Sequence, residues 1–129
     1  YTSILPHLLC EEVVAKINES KAKVMYLCNA MTQPGETDNF GVSDHIKELE
    51  KYLGANTIDV VIASNTIVDE AILEKYESEE QKDPVKIDYE NLEKMDIELI
   101  EENLITIVDG MIRHNSLKIS SIIFSYLMR

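Results

Sequence analysis

The sequence has few cysteines, few cations and no long apolar run. Cys10 and Cys28 are the only cysteines in 129 residues. They stand in apolar stretches and form no C-x-x-C pair, so a disulfide framework does not organise the fold. The pattern predicts two buried free thiols and a reducing compartment. Lys and Arg number 12 against 24 Asp and Glu, a formal net charge of -12. A surface this acidic repels polyanions at long range, which argues against nucleic acid and anionic membrane as partners. A phosphate ligand would need a locally positive site, such as a helix N-terminus or a single arginine. No apolar run reaches the roughly 18 residues of a membrane span and no signal peptide is visible, so a cytoplasmic protein without a membrane span is expected.

The common catalytic signatures are missing too. There is no G-x-x-x-x-G-K-[ST], no G-x-G-x-x-G and no His/Cys cluster at zinc spacing. No Ser or Cys occupies a nucleophile elbow, and neither cysteine has a basic neighbour to activate it. No local pattern demands catalysis.

What is present is an ordinary globular balance, 45% hydrophobic and 28% charged, with length for one domain over residues 1–129. The first residue is Tyr1 rather than Met, so the chain is expected to be part of something longer. Ile4, Leu5, Leu8, Leu9, Val13 and Ile17 recur at helical spacing, with Thr2 or Ser3 as cap and Pro6 in the first turn. Val24–Cys28 and Ile58–Ala63 read as buried strands. Between them a helix carries Ile46, Leu49 and Leu53 to Gly54. Asn65 or Thr66 is the expected cap of a third helix that includes Ile72 and Tyr76. An exposed acidic connection, Glu77–Asp83, leads to a short strand at Val85–Ile87 and a brief helix capped by Asp88. Strands are expected at Ile97–Ile100 and Leu104–Val108, and a last helix over Ser116–Leu127. This alternation predicts an α/β fold, a Rossmann-like parallel sheet with helices on both faces.

In such sheets ligands bind outside the carboxyl ends of the strands. That directs attention to the loop Thr32–Gly41, the turn Ser64–Thr66 and the region Asp109–Asn115. The first loop holds hydroxyls, a Pro-Gly turn, and Glu36 and Asp38, which can hold a sugar hydroxyl or Mg²⁺ through its waters, or can simply be solvated acids on a rigid turn. Arg113 can clamp a diphosphate with its two-pronged guanidinium, or pair with a surface acid. Tyr1-Thr2-Ser3 at a helix start can meet an anion or merely cap the helix, and Tyr76 can stack on a base or pack half-buried.

The run Thr32-Gln33-Pro34-Gly35-Glu36-Thr37-Asp38, followed by Ser43-Asp44-His45, resembles the bacterial gluconeogenesis-factor (YvcK-like) family, relatives of the phospholactate transferase CofD. Tyr1–Pro6, Ile58–Ile62 and Ile112-Arg113-His114 also resemble family segments. The likeness extends over the whole chain but covers only the C-terminal part of a CofD-like domain. It implies a Rossmann-like fold, a cytoplasmic bacterial protein and a uridine-diphosphate sugar ligand, UDP-N-acetylglucosamine, in regulators of cell shape, cell-wall synthesis and gluconeogenic growth. The ligand contacts it implies are a tyrosine and a late arginine, here Tyr76 and Arg113; the helix start with Thr2 and Ser3 and the loop run Thr32-Gln33-Pro34-Gly35-Glu36-Thr37-Asp38 join them as candidate ligand-binding residues from the local pattern. The family's Gly-rich N-terminal loop is absent, Asn39 stands where Gly is expected, and Asn115 replaces Asp. A metal-dependent CofD-like transferase and a non-catalytic interaction domain are the competing expectations. The protein partner and homo-oligomerisation stay open.

Overall fold

Three short parallel strands form the centre: β1 (Met25–Leu27), β2 (Val60–Ser64) and β3 (Glu98–Glu102), side by side in that order. Met25 is level with Val60, and Val60 with Glu98. The computed structural model describes every residue except Thr2, so the ligand role expected of Thr2 lies outside the described residues.

Alternation along the strands sorts their side chains between two apolar layers. Tyr26, Val61, Ala63 and Leu99 join one core with Ile46, Leu49, Leu53, Leu8 and Leu92. Met25, Leu27, Val60, Ile62 and Ile100 join a second with Leu104, Ile119 and Ile123. The first layer is covered by α1 (Leu5–Leu8), α2 (Glu11–Glu19), α3 (Val42–Leu53) and α5 (Tyr89–Leu92), the second by α6 (Ser116–Leu127). Helices therefore lie on both faces of a parallel sheet, the fold expected from the apolar strands. Each fully buried Val or Ile contributes roughly 1.5–3 kcal/mol, and Ile46, Ile58, Val60, Val61 and Ile62 are all essentially inaccessible. Asp59 fastens the strand entries. Its carboxylate accepts the Val24 N–H at 2.8 Å and pairs with Lys23 at 3.0 Å, and both interactions lower its pKa.

Several elements differ from expectation. The N-terminal helix breaks after Leu8; Cys10 is extended and α2 restarts at Glu11-Glu12, whose charges suit a helix N-terminus. The break leaves Cys10 exposed, and only Cys28 is buried. Val85–Ile87 forms no strand; this stretch and Pro84 before it make two isolated bridges instead, Pro84 with Met31 and Lys86 with Gly41. The segment crosses the ends of the 31–41 loop rather than joining the sheet. Asn65 and Thr66 cap nothing; α4 (Glu70–Lys75) is capped by Asp69, whose Oδ1 accepts the Ala71 N–H at 2.9 Å. The chain from Ile105 to His114 is an antiparallel hairpin, β4 (Ile105–Val108) and β5 (Met111–His114), separate from the sheet. Its turn is Asp109-Gly110, both at positive φ (52° and 71°), the backbone that a two-residue hairpin turn requires.

Candidate functional site

Thr32–Asp38 builds its own shape. The Gln33 N–H donates to Thr37 Oγ1 at 2.8 Å, and the Thr37 N–H returns to the Gln33 carbonyl at 2.9 Å. The Gly35 N–H donates to Asp38 Oδ2 at 2.7 Å, and Gly35 itself is left-handed at φ 76°. Thr37 is wholly buried, whereas Pro34, Gly35, Glu36 and Asp38 are exposed. Thr32 is tied to the segment that enters Pro84, its N–H donating to the Asp83 carbonyl at 2.7 Å and its Oγ1 accepting the Asp83 N–H at 2.9 Å. Asn39 adopts φ 60°, so it supplies the left-handed turn for which Gly was expected.

The loop leads into α3 through Gly41. Having no side chain, Gly41 cannot cap α3, and Asp88 does so from 45 residues later, accepting the Ser43 N–H at 2.9 Å together with the Ser43 hydroxyl. Burial opposes the charge of Asp88, but the bonds from Ser43 and Asn91 outweigh it and lower its pKa. His45 lies beneath, fully buried, with Nδ1 2.8 Å from the Gly41 carbonyl and Nε2 unpaired among the described residues. The rings of Tyr1 and Phe40 meet its imidazole edge-on at 5.2 and 5.3 Å.

Where β1 ends, the chain Asn29–Gln33 forms one wall of a cavity of about 380 Å³. The opposite walls are Tyr76, Glu80 and Lys82 from the end of α4 and its exit, and Ile112–His114 from β5. The size falls within the usual range of small-molecule pockets, about 300–1,000 Å³. Two cations of this acidic chain converge there. Lys82 Nζ is 2.6 Å from Glu80 Oε2. Arg113 is exposed and has no ion-pair partner among the described residues. His114 Nε2 is buried without a partner among the described residues. Tyr76 is 5% exposed, and its hydroxyl accepts the Ile112 N–H at 2.6 Å.

Of the residues singled out from sequence, the cavity brings together Thr32, Gln33, Tyr76 and Arg113. Ser3 is exposed and, like Pro34–Asp38, does not line it. The Ser64–Thr66 turn is closed by its own bonds, Ser64 Oγ to Thr66 Oγ1 at 2.7 Å and Thr66 Oγ1 to Asn103 at 2.8 Å. Asn29, Met31, Glu80 and Lys82 were missed; the first two follow β1 directly, where the strand-end rule points. Among the described residues no group of three or more His, Cys, Asp or Glu is arranged to hold a metal ion, and Asp38 already spends one oxygen on Gly35. No helix among them is long and apolar enough to cross a membrane.

Residues 1–105 match the family model of CofD, 2-phospho-L-lactate transferase. The chain belongs to the CofD family. Within it, the chain is 37% identical over 127 residues to the gluconeogenesis factor of Bacillus subtilis, covering 98% of this chain and 40% of that protein. A relative from Thermotoga maritima is 44% identical over 128 residues, again 40% of its length. A crystal structure of a UPF0052-family protein from Bacillus halodurans superposes with a TM-score of 0.87 at 30% identity, over 92% of this chain and 38% of that one. The chain thus spans about two fifths of the length of these CofD-family proteins and matches their C-terminal part.

Proposed function

We propose that this part of the CofD-family protein binds a nucleotide-diphosphate sugar, UDP-N-acetylglucosamine, and serves a regulator of cell shape, cell-wall synthesis and gluconeogenic growth in the cytoplasm. The observation that carries the reading is the cavity at the end of β1, where Lys82 and Arg113 face one space in a chain of net charge -12. A diphosphate is the ligand chemistry that Arg113 suits, offering a fork of parallel donors, with Lys82 a further point charge where a ligand oxygen replaces Glu80. Gln33 adds its side-chain amide for the sugar or the base, Thr32 lines the wall with its N–H and hydroxyl already bonded to Asp83, and the Tyr76 ring closes one wall. Ligand occupancy would reach a partner by favouring one of two states of the protein.

The test is calorimetric titration of UDP-N-acetylglucosamine into the intact protein, with and without Mg²⁺. Arg113→Ala is expected to weaken binding by at least about 1.5 kcal/mol, the worth of one charged hydrogen bond. Saturable binding with unchanged affinity in the variant would remove Arg113 from the site. No binding by folded wild type would discard the ligand.

The family's transferase name supports a second reading, phospho-group transfer from a nucleotide donor. It predicts metal-dependent consumption of that donor in the same samples, and calorimetric heat without turnover would rule it out.

A further inference from the structure

Among the described residues the β4–β5 hairpin pairs only with itself and joins neither edge of the three-stranded sheet. Its orientation against the cavity must therefore come from outside the ladder. The two-residue turn sets the alternation. Val108 and Met111 beside the turn are the hydrogen-bonded pair, so the next pair, Ile107 and Ile112, turns its backbone N–H groups outward. An outward N–H that is not met by water needs an acceptor. Ile112 finds one in the hydroxyl of Tyr76, at 2.6 Å and 36 residues earlier in the chain.

Tyr76 is itself held firmly. Its side chain is buried, and it opens a π-helical turn, Tyr76–Glu80. Its carbonyl accepts the N–H groups of Gln81 and, at 3.2 Å, Lys82, while Gln81 ends the turn in the left-handed region at φ 53°. One residue thus joins the strand that bears Arg113 to the segment that bears Lys82. Single π turns recur at functional sites.

We infer that Tyr76 is a positioning residue, whose hydroxyl latches β5 so that Arg113 forms part of the cavity wall opposite Thr32 and Gln33. Its effect on ligand affinity runs through Arg113 and not through a contact of the hydroxyl with the ligand. The binding consequence rests on the nucleotide-sugar reading; the latch does not.

Tyr76→Phe deletes the hydroxyl and keeps the ring. Ile112→Pro deletes the same bond from the donor's side, at an outward edge position where proline is tolerated. Hydrogen exchange of β5 amides in the intact, ligand-free protein reads the latch. The Ile112 amide should exchange about tenfold faster in Tyr76→Phe, the equivalent of one net hydrogen bond, while Val61 in the central strand is unchanged. Titration of UDP-N-acetylglucosamine reads the consequence. Each variant should weaken binding severalfold, and Tyr76→Phe combined with Arg113→Ala should bind no more weakly than Arg113→Ala alone. Unchanged exchange at Ile112 would overturn the latch. Losses that multiply in the double variant would overturn action through Arg113 and assign the hydroxyl to the ligand. If wild type binds no nucleotide sugar, that reading falls, and the exchange measurement decides the latch alone.

Discussion

Replacing Gly41 by alanine tests how the signature loop is joined to its helix. The backbone at Gly41 has φ -84°, which any residue accepts, so no strain arises from the dihedral. The obstacle is space: a Cβ at this position would lie 2.9 Å from both Cγ and Oδ1 of Asp88. The carboxylate cannot retreat freely, because it accepts the Ser43 N–H, the Ser43 hydroxyl and the Asn91 amide. Displacing it removes a helix cap, about 1 kcal/mol. It also strands the Ser43 hydroxyl, which is fully buried, at a further 1–3 kcal/mol or so. Alanine stiffens the unfolded chain and returns about 0.4–1 kcal/mol. The net expectation is a loss of about 2 kcal/mol, summed from those estimates. Urea unfolding should show a lower midpoint with an unchanged slope. The decisive comparison uses Asp88→Ala. With the carboxylate gone the new methyl has room, so Gly41→Ala should cost little in that background, giving a coupling of about 1–2 kcal/mol. Additive losses, or a Gly41→Ala variant within about 0.5 kcal/mol of wild type, would refute capping of α3 by Asp88.

Two further outcomes follow from buried titratable groups. Burial lowers the pKa of His45, although the Gly41 carbonyl and the Asp44 and Asp88 carboxylates favour the charged form. Its folded pKa lies below the unfolded value of about 6.5, so the unfolded chain takes up the proton first. Stability is therefore complete above pH ~6.5 and falls as pH drops below it, by at most about 1.4 kcal/mol per unit. Urea midpoints between pH 8 and 5 should show that decline in wild type and a flatter profile in His45→Gln; equal slopes would remove His45 as its source. Burial pushes the Cys28 thiol up to about 12, while Cys10 is exposed. A disulfide reagent at pH 8 should label one thiol in the folded protein and the second only on unfolding; rapid labelling of both would contradict the burial of Cys28.

What the sequence made legible follows from its physics. β1 and β2 are short apolar runs covered on both faces, and runs of that kind read as buried strands with no tertiary knowledge. The helix over Val42–Leu53 was legible for a similar reason, its buried residues recurring at helical spacing up to Gly54. The run Thr32–Asp38 identified the family, yet its residues divide by role: Thr32 and Gln33 reach the cavity, while Thr37 and Asp38 hold the loop together. Sequence spacing cannot separate those roles, since both call for hydroxyls and carboxylates next to Pro-Gly. The Asp88 cap was equally invisible, because a cap supplied from 45 residues away has no local signature.

The hairpin was different, for its signal was present. Asp109-Gly110 lies between two apolar stretches, the strongest short-range hairpin pattern there is. Reading Leu104–Val108 as one more strand of an alternating βα series hid it, because a parallel sheet needs a crossover and leaves no place for a two-residue turn. The difference matters for the site. On a strand end of the parallel sheet, Arg113 would be fixed by the ladder. On a hairpin outside the sheet it depends on what ties the hairpin down, and a buried tyrosine hydroxyl on an outward N–H is such a tie. The cavity is therefore assembled from the chain leaving β1 and a separately held part, β5. In a site of that construction, substitutions at Tyr76 or Ile112, both in the cavity wall, become able to alter its affinity by releasing β5.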